Sequence, residues 1–240
     1  METNVLPIRL INLGQVPSWQ TQAYYHAVAE LTQVDTVDTI ILCQPDSPYL
    51  CLGYHQSFEA IFDKEECERE NLPVYRRRVG GGATYLDSNQ FFYQCIFYHK
   101  RAPLFFKDVY AEMLAAPIAT LKRLGLNSEL RAINEVEAEG RRIAGIGGGR
   151  IGDAAVVVGK FLFDFNYAVM AKVWQVPWEP FRKMAATALQ ERVTTLTSLL
   201  DQVNIKEVEE ILIEEYAKTL QRPLILGEFT PEEKELAEEI

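Results

Sequence analysis

Phe91 to Tyr98 is apolar on both faces of the strand it would form, and such a strand belongs inside a sheet covered on both sides. Ala154 to Val158 reads the same way. The covering layers are supplied by apolar residues at helical spacing in Trp19 to Thr32, Lys107 to Gly125 and Lys206 to Leu220, with Pro117 predicting a kink in the second. Further strands are expected at Ile8 to Leu13, Asp38 to Cys43 and Pro73 to Arg77, and further helices at Tyr167 to Trp174 and Glu179 to Ala188. Asp63 and Glu66 form a capping-box pattern for a short helix to about Glu70. Strict βαβ alternation is missing, so the fold class is α+β, with a mixed, mostly antiparallel sheet and flanking helices. No repeat or linker divides the chain, and residues 1–240 read as a single domain whose segment 202–240 is acidic and helical.

Charge narrows the partners. Lys+Arg 24 against Asp+Glu 34 gives a net charge of -10, so no global basic field exists for nucleic acid or an anionic membrane, and any anion site must be local. The four cysteines, Cys43, Cys51, Cys67 and Cys95, form no C-x-x-C pair and read as reduced thiols. No stretch reaches the length of a membrane span, and a cytoplasmic location is expected.

Two arginine-glycine clusters carry the chemistry. The first runs Tyr75-Arg76-Arg77-Arg78-Val79-Gly80-Gly81-Gly82-Ala83-Thr84-Tyr85. Consecutive glycines allow positive φ and bring amide N–H groups against an anion, while arginines offer bidentate donors; the alternative is a glycine-rich turn with solvated arginines. It is not a Walker A loop, since the Lys-Ser/Thr ending is absent. The second cluster is Gly140-Arg141-Arg142-Ile143-Ala144-Gly145-Ile146-Gly147-Gly148-Gly149-Arg150, preceded by Asn134. A turn at Glu139-Gly140 would lift the arginines into a strand, where alternation turns only one inward, and the later glycines would leave a thin mobile loop.

These clusters resemble motifs of the lipoate-protein ligases. Arg76 to Asp87 is similar to Arg-Arg-x-Ser-Gly-Gly-Gly-Ala-Val-Tyr-His-Asp, and Asn134 to Gly145 is similar to a later Asn-Asp-(about five residues)-Gly-Lys-Lys-Ile-Ala-Gly segment shared with the biotin-protein ligases. Gly53-Tyr54-His55-Gln56 and Arg192 to Leu196 extend the likeness to about residues 6–235. The resemblance implies a single biotin/lipoate protein ligase-like catalytic domain. Its members activate lipoate or octanoate with ATP and magnesium (Mg2+) as acyl-AMP, and transfer the acyl group to a lysine of a lipoyl carrier domain. It also implies that Arg77 contacts the activated phosphate and that Gly80, Gly81, Gly82, Ala83, Thr84 and Tyr85 wall the ligands. Asn134 falls in the nucleotide half, with Ile143, Ala144 and Gly145 beside it. Ligases of the family often carry a further accessory domain, and so few residues follow the last motif that its function is expected to be either dispensable or supplied by a separate accessory chain.

The departures are specific. The family's reactive-site lysine falls on Arg142, a permanent cation that is bulkier and planar, so the two are not interchangeable at a packed site. Lys160 either supplies the amine from a neighbouring strand or is an ordinary surface lysine. The motif's serine is Val79, its histidine is Leu86, and Glu135 stands for its aspartate. Related acyltransferases use a cysteine nucleophile without ATP, but none of the four cysteines lies near the second motif. Besides the ligase, two alternatives stay open: an octanoyl or lipoyl transferase, and a non-catalytic ligand- or partner-binding homologue. His55 is either a solvated turn residue or a neighbour of the acyl pocket, and Lys100, Arg101 and Lys107 could form a basic patch for an acidic carrier.

Overall fold

The computed structural model describes residues 6–132, 134–176 and 178–240. The first half of the chain forms β1 (Ile8–Val16), α1 (Gln20–Glu30), β2 (Asp38–Pro45), β3 (Tyr49–Leu52), α2 (Phe58–Ile61), α3 (Lys64–Arg69), β4 (Val74–Arg76), β5 (Thr84–Leu86), β6 (Gln90–Tyr98) and α4 (Phe106–Arg123). Then follow β7 (Ser128–Arg131), β8 (Glu135–Ala138), β9 (Arg141–Gly145), β10 (Gly147–Ile151), β11 (Ala154–Leu162), α5 (Tyr167–Val173) and α6 (Glu179–Arg192). The chain ends with α7 (Leu196–Leu199), α8 (Ile205–Leu220), β12 (Leu224–Leu226) and α9 (Pro231–Glu239).

The fold is α+β, built on a six-stranded sheet in the order β10-β11-β6-β2-β1-β12. It is antiparallel from β10 to β2 and parallel from β2 to β12. Alternation along β6 explains its two apolar faces. Phe91, Tyr93, Cys95 and Phe97 face a core shared with α4 and α8, while Ile96 packs with Tyr25 and Val28 of α1 on the opposite face. Phe92, nearer the start of the strand, meets Tyr49, Cys51 and Leu86 of a second sheet ordered β4-β3-β5. A third sheet, β7-β8-β9, is an antiparallel meander whose tight turn sets Glu139 and Gly140 at φ 51° and 75°, as a two-residue hairpin with the strand's twist requires. Asp63 caps α3 by accepting from Glu66 N, and Pro117 lies within α4.

Two expectations need correction. Gly147 to Gly149 are not a mobile loop; they lie in β10, paired with Val156 to Val158 of β11. Their missing side chains serve close approach: a Cβ on Gly147 would stand 2.7 Å from Gly80 O, and one on Gly148 would stand 2.5 Å from Tyr110 Oη. Arg101 is not a docking residue either. Asp38 is 1% exposed and needs partners; Arg101 Nε donates to it at 3.0 Å, Arg222 Nη1 at 2.6 Å and Tyr98 N at 2.8 Å. A buried carboxylate so engaged commits both guanidinium groups to structure. Lys100 and Lys107 are exposed.

The sequence reading also passes over β12, and it includes α9 only within the acidic, helical segment 202–240. That helix carries a legible start, since Thr230 and Glu233 form a reciprocal capping box with Pro231 at the first helical position.

Candidate active site

A cavity of about 290 Å³ opens between the second sheet and the face of the main sheet that bears Phe92, Gln94, Val158, Lys160 and Leu162. The two arginine-glycine clusters meet at its edge, where Gly80 N donates to Gly148 O at 3.1 Å. The cavity wall includes Arg77, Gly82, Ala83, Thr84, Asn134, Arg142, Gly145 and Lys160 among the expected site residues. Gly80 and Gly81 stand behind that wall. Tyr85, Ile143 and Ala144 do not line it: Tyr85 packs in an apolar cluster with Phe165, and Ile143 and Ala144 are wholly buried in the α4–α8 core. On a strand, neighbours of lining residues point into the opposite layer, and contiguous motif residues therefore cannot all face one ligand.

The three adjacent arginines divide their work. Arg76 donates to the carbonyls of Gly53, Tyr54 and Gln56, stapling that turn. Arg77 is 8% exposed; its Nε donates to Gly80 O at 3.1 Å and its Nη2 to Gly82 O at 2.8 Å, so it braces the glycine loop from inside the cavity wall. Arg78 is exposed, lies over the Tyr54 ring at 5.4 Å and pairs with Glu30. Only Arg77 faces the cavity.

Lys160 is not a surface lysine. It is 7% exposed, and its Nζ donates to Thr84 Oγ1 at 3.4 Å beside Gly145. Gly159 before it leaves room for the Tyr93 ring, which a Cβ would meet at 2.2 Å. Among the described residues no carboxylate pairs with this amine, and burial, with Arg77 and Arg142 nearby, lowers its pKa from 10.5 to about 7. Burial of an amine without a counter-charge disfavours its charged form, which is why the pKa falls.

The folded chain therefore holds fewer protons than the unfolded chain between about pH 7 and 10.5, and this group makes stability rise with pH through that window. Lys160→Met is expected to stabilise the ligand-free protein by on the order of 2 kcal/mol or more below pH 7, with the gain shrinking toward pH 10. Urea denaturation at pH 6 and pH 9 checks this; an equal gain at both would show that the amine is not held near neutrality.

Arg142 lines the cavity and Arg141 does not. It pairs with Glu135, the one carboxylate among the described residues of the wall, and its backbone carbonyl accepts from Thr194 N at 2.8 Å. Asn134 Nδ2 donates to Ile146 O at 3.3 Å. The apolar positions where the motif has serine and histidine are accommodated by burial, Val79 and Leu86 each being 1% exposed.

All four cysteines are buried. Burial pushes the Cys43 and Cys95 thiols up to about 12, and burial together with Asp63 takes Cys67 to about 11, so none of these three supplies a thiolate at neutral pH. Cys51 reaches the cavity wall, where Arg77 Nη1 approaches its Sγ at 3.6 Å. His55 is exposed on its turn, packed on Tyr54, and lies outside the cavity wall.

Several lining residues carry no motif. Leu162, Phe165, Met170, Trp174, Leu189 and Val193 make one apolar end, while Gln22 and Gln94 place amides at another part of the wall. Only alternation along β6 and β11 could have flagged Gln94 and Leu162, and nothing local marks Gln22 on α1.

Known proteins resemble this chain in sequence and fold. Lipoate-protein ligase A subunit 1 of Thermoplasma acidophilum is 26% identical over 199 residues, 79% of this chain and 75% of that protein. A solved structure of an archaeal lipoylation system from the same organism, described as a bi-partite lipoate protein ligase and its E2 lipoyl domain, superposes with a TM-score of 0.90 at 25% identity, covering 98% of this chain and 91% of that one. Lipoate-protein ligase A bound with ATP shares the fold, with a TM-score of 0.83 at 23% identity over 98% and 94% of the two chains. The sequence profile of the lipoyl protein ligase A/B catalytic domain matches residues 17–217, and the chain belongs to that family.

Proposed function

We propose that this protein activates lipoate, or octanoate, with ATP as acyl-AMP and passes the acyl group to a lysine of a lipoyl carrier domain. The observation that carries the reading is Lys160: a buried amine with no carboxylate partner among the described residues, in a cavity lined by both glycine clusters and at the small end of the range for small-molecule sites. A medium-chain acid fits such a volume. Its carboxylate would supply the missing counter-charge, and the amine would then hold its proton.

In the first step the carboxylate oxygen attacks the α-phosphorus and pyrophosphate leaves. Lys160, supported by Arg142, offsets the negative charge on the phosphoryl and carboxyl oxygens, and Arg77 keeps the glycine amides in place around them. In the second step the carrier lysine attacks the acyl carbonyl, AMP departs, and the same cations stabilise the oxyanion. The apolar end around Leu162, Phe165 and Trp174 excludes water from the mixed anhydride. Magnesium is bound typically by phosphates with one or two carboxylates, and Glu135 is the carboxylate the cavity offers for it.

The description of the Thermoplasma relative as bi-partite, with an E2 lipoyl domain, supports a lipoyl domain as acceptor and a separate accessory chain as partner. The test is incubation with lipoate, ATP and magnesium, reading pyrophosphate release and the mass of an added lipoyl domain. Pyrophosphate release and a lipoyl mass gain are expected. Binding of lipoate with no pyrophosphate, even with an accessory chain added, would reduce the protein to a binding homologue, and an acyl thioester on Cys51 would make it a transferase.

A further inference from the structure

Arg77, Lys160 and Arg142 are the cations of the cavity wall, and they differ in freedom. Arg77 is fixed by the carbonyls of Gly80 and Gly82, and Lys160 is buried beside Thr84. Arg142 keeps 47% of its side-chain surface exposed, and among the described residues it is the one of the three that pairs with a carboxylate, that of Glu135.

The backbone explains why this pair forms. Between β8 and β9 the register steps from Val136 opposite Ala144 to Glu137 opposite Arg142, so Ile143 is an extra residue on β9. That bulge lets Ile143 and Ala144 both enter the α4–α8 core and turns Arg142 toward the cavity. Thr194 N holds the Arg142 carbonyl at 2.8 Å, which leaves the side chain free to change partner while the backbone stays in place.

A nucleotide entering here needs a guanidinium that Glu135 already neutralises, and its phosphates are repelled by the carboxylate itself. Glu135, whose side chain is 14% exposed in the cavity wall, can leave Arg142 for a hard divalent cation carried in on the phosphates. The guanidinium is then free to bind a phosphate oxygen.

We propose that Glu135 is a latch on Arg142: it holds the guanidinium in the ligand-free protein and yields it when magnesium-bound nucleotide enters, so that the pair admits MgATP and turns away free ATP. Glu135 is thereby a positioning residue that acts through Arg142. This inference rests on the reading of the cavity as a nucleotide site.

Calorimetric titration of the full chain with ATP, in magnesium and in EDTA, tests the latch by equilibrium binding. The native protein is expected to bind ATP at least about tenfold more tightly with magnesium. Glu135→Gln should bind metal-free ATP about fivefold more tightly than the native protein, the upper scale of a partly exposed ion pair, and magnesium should change its affinity by less than about threefold. Glu135→Ala is the second variant should the first fail to fold. Arg142→Gln separates a latch from plain repulsion, because in that background replacing Glu135 should gain nothing for metal-free ATP. An equal gain there, or no gain with Arg142 present, overturns the latch and leaves the nucleotide site standing. Failure of the native protein to bind ATP in magnesium overturns the nucleotide site itself.

Discussion

Lys160→Ala is expected to lower ATP-dependent acyl transfer by about 100-fold or more, the scale for removing one charge-bearing donor from a developing oxyanion. The amine is buried, with Thr84 Oγ1 3.4 Å away, and a guanidinium there would be bulkier and planar. Lys160→Arg should therefore restore little. Arg142→Ala should cost less, since that guanidinium is half exposed and already neutralised by Glu135. Single-turnover pyrophosphate release measured on the three variants ranks the cations. If Lys160→Ala stays within tenfold of the native protein while Arg142→Ala is inactive, the centre of activation moves to the arginine at the family's lysine position.

The second large effect is expected at a glycine outside the triplet. A Cβ on Gly53 would lie 2.0 Å from Gly81 O and 3.1 Å from its carbonyl carbon, a clash of side chain with backbone that no rotamer relieves. Gly81 itself is held at φ +113°, so the loop has little freedom to yield. Gly53→Ala should push the loop off Arg77 and weaken acid or nucleotide binding by more than about tenfold, while costing about 1–3 kcal/mol of stability as an overpacked contact. Gly82→Ala is the control, because a Cβ there meets nothing within 4 Å. Titration with ATP and urea denaturation of both variants distinguish a binding loss from unfolding. Undiminished binding by Gly53→Ala would remove the glycine loop from the site. For Gly81, the positive φ and Arg77 Nη2 at 2.5 Å from a Cβ mean that any side chain would strain the loop as well as block the cavity.

How far the site could be read from the residues depends on whether a role is local or set by register. The glycine triplet and the Glu139-Gly140 turn declare themselves because backbone conformation restricts residue type at each position. Lys160 does not. Its strand is legible as apolar, yet which way the amine points follows from its pairing with Phe92 across β6, and that pairing is a property of the whole sheet. Gly147 to Gly149 mislead for a related reason: three glycines suggest a loose loop, whereas here they let Gly80 and Tyr110 come close. The amides of Gln22 and Gln94 become a shared feature only when α1 is laid over β6, some seventy residues away in sequence.

β12 pairs in parallel with β1, with Leu224 beside Ile8, so the chain's early and late segments are neighbours in the main sheet. α9 then packs Ala237 against Ala23 and Ala27 of α1, and Arg9 is held by Glu233. During synthesis, β1 and α1 leave the ribosome long before the residues that flank and cover them have been made. The helix that carries Gln22 thus receives this support only once α9 has been made, and contacts this distant in sequence form slowly. A nascent chain would hold its arginine-glycine clusters, made midway, before the helix beside the cavity is locked, which makes ligand affinity a late-acquired property of the growing polypeptide.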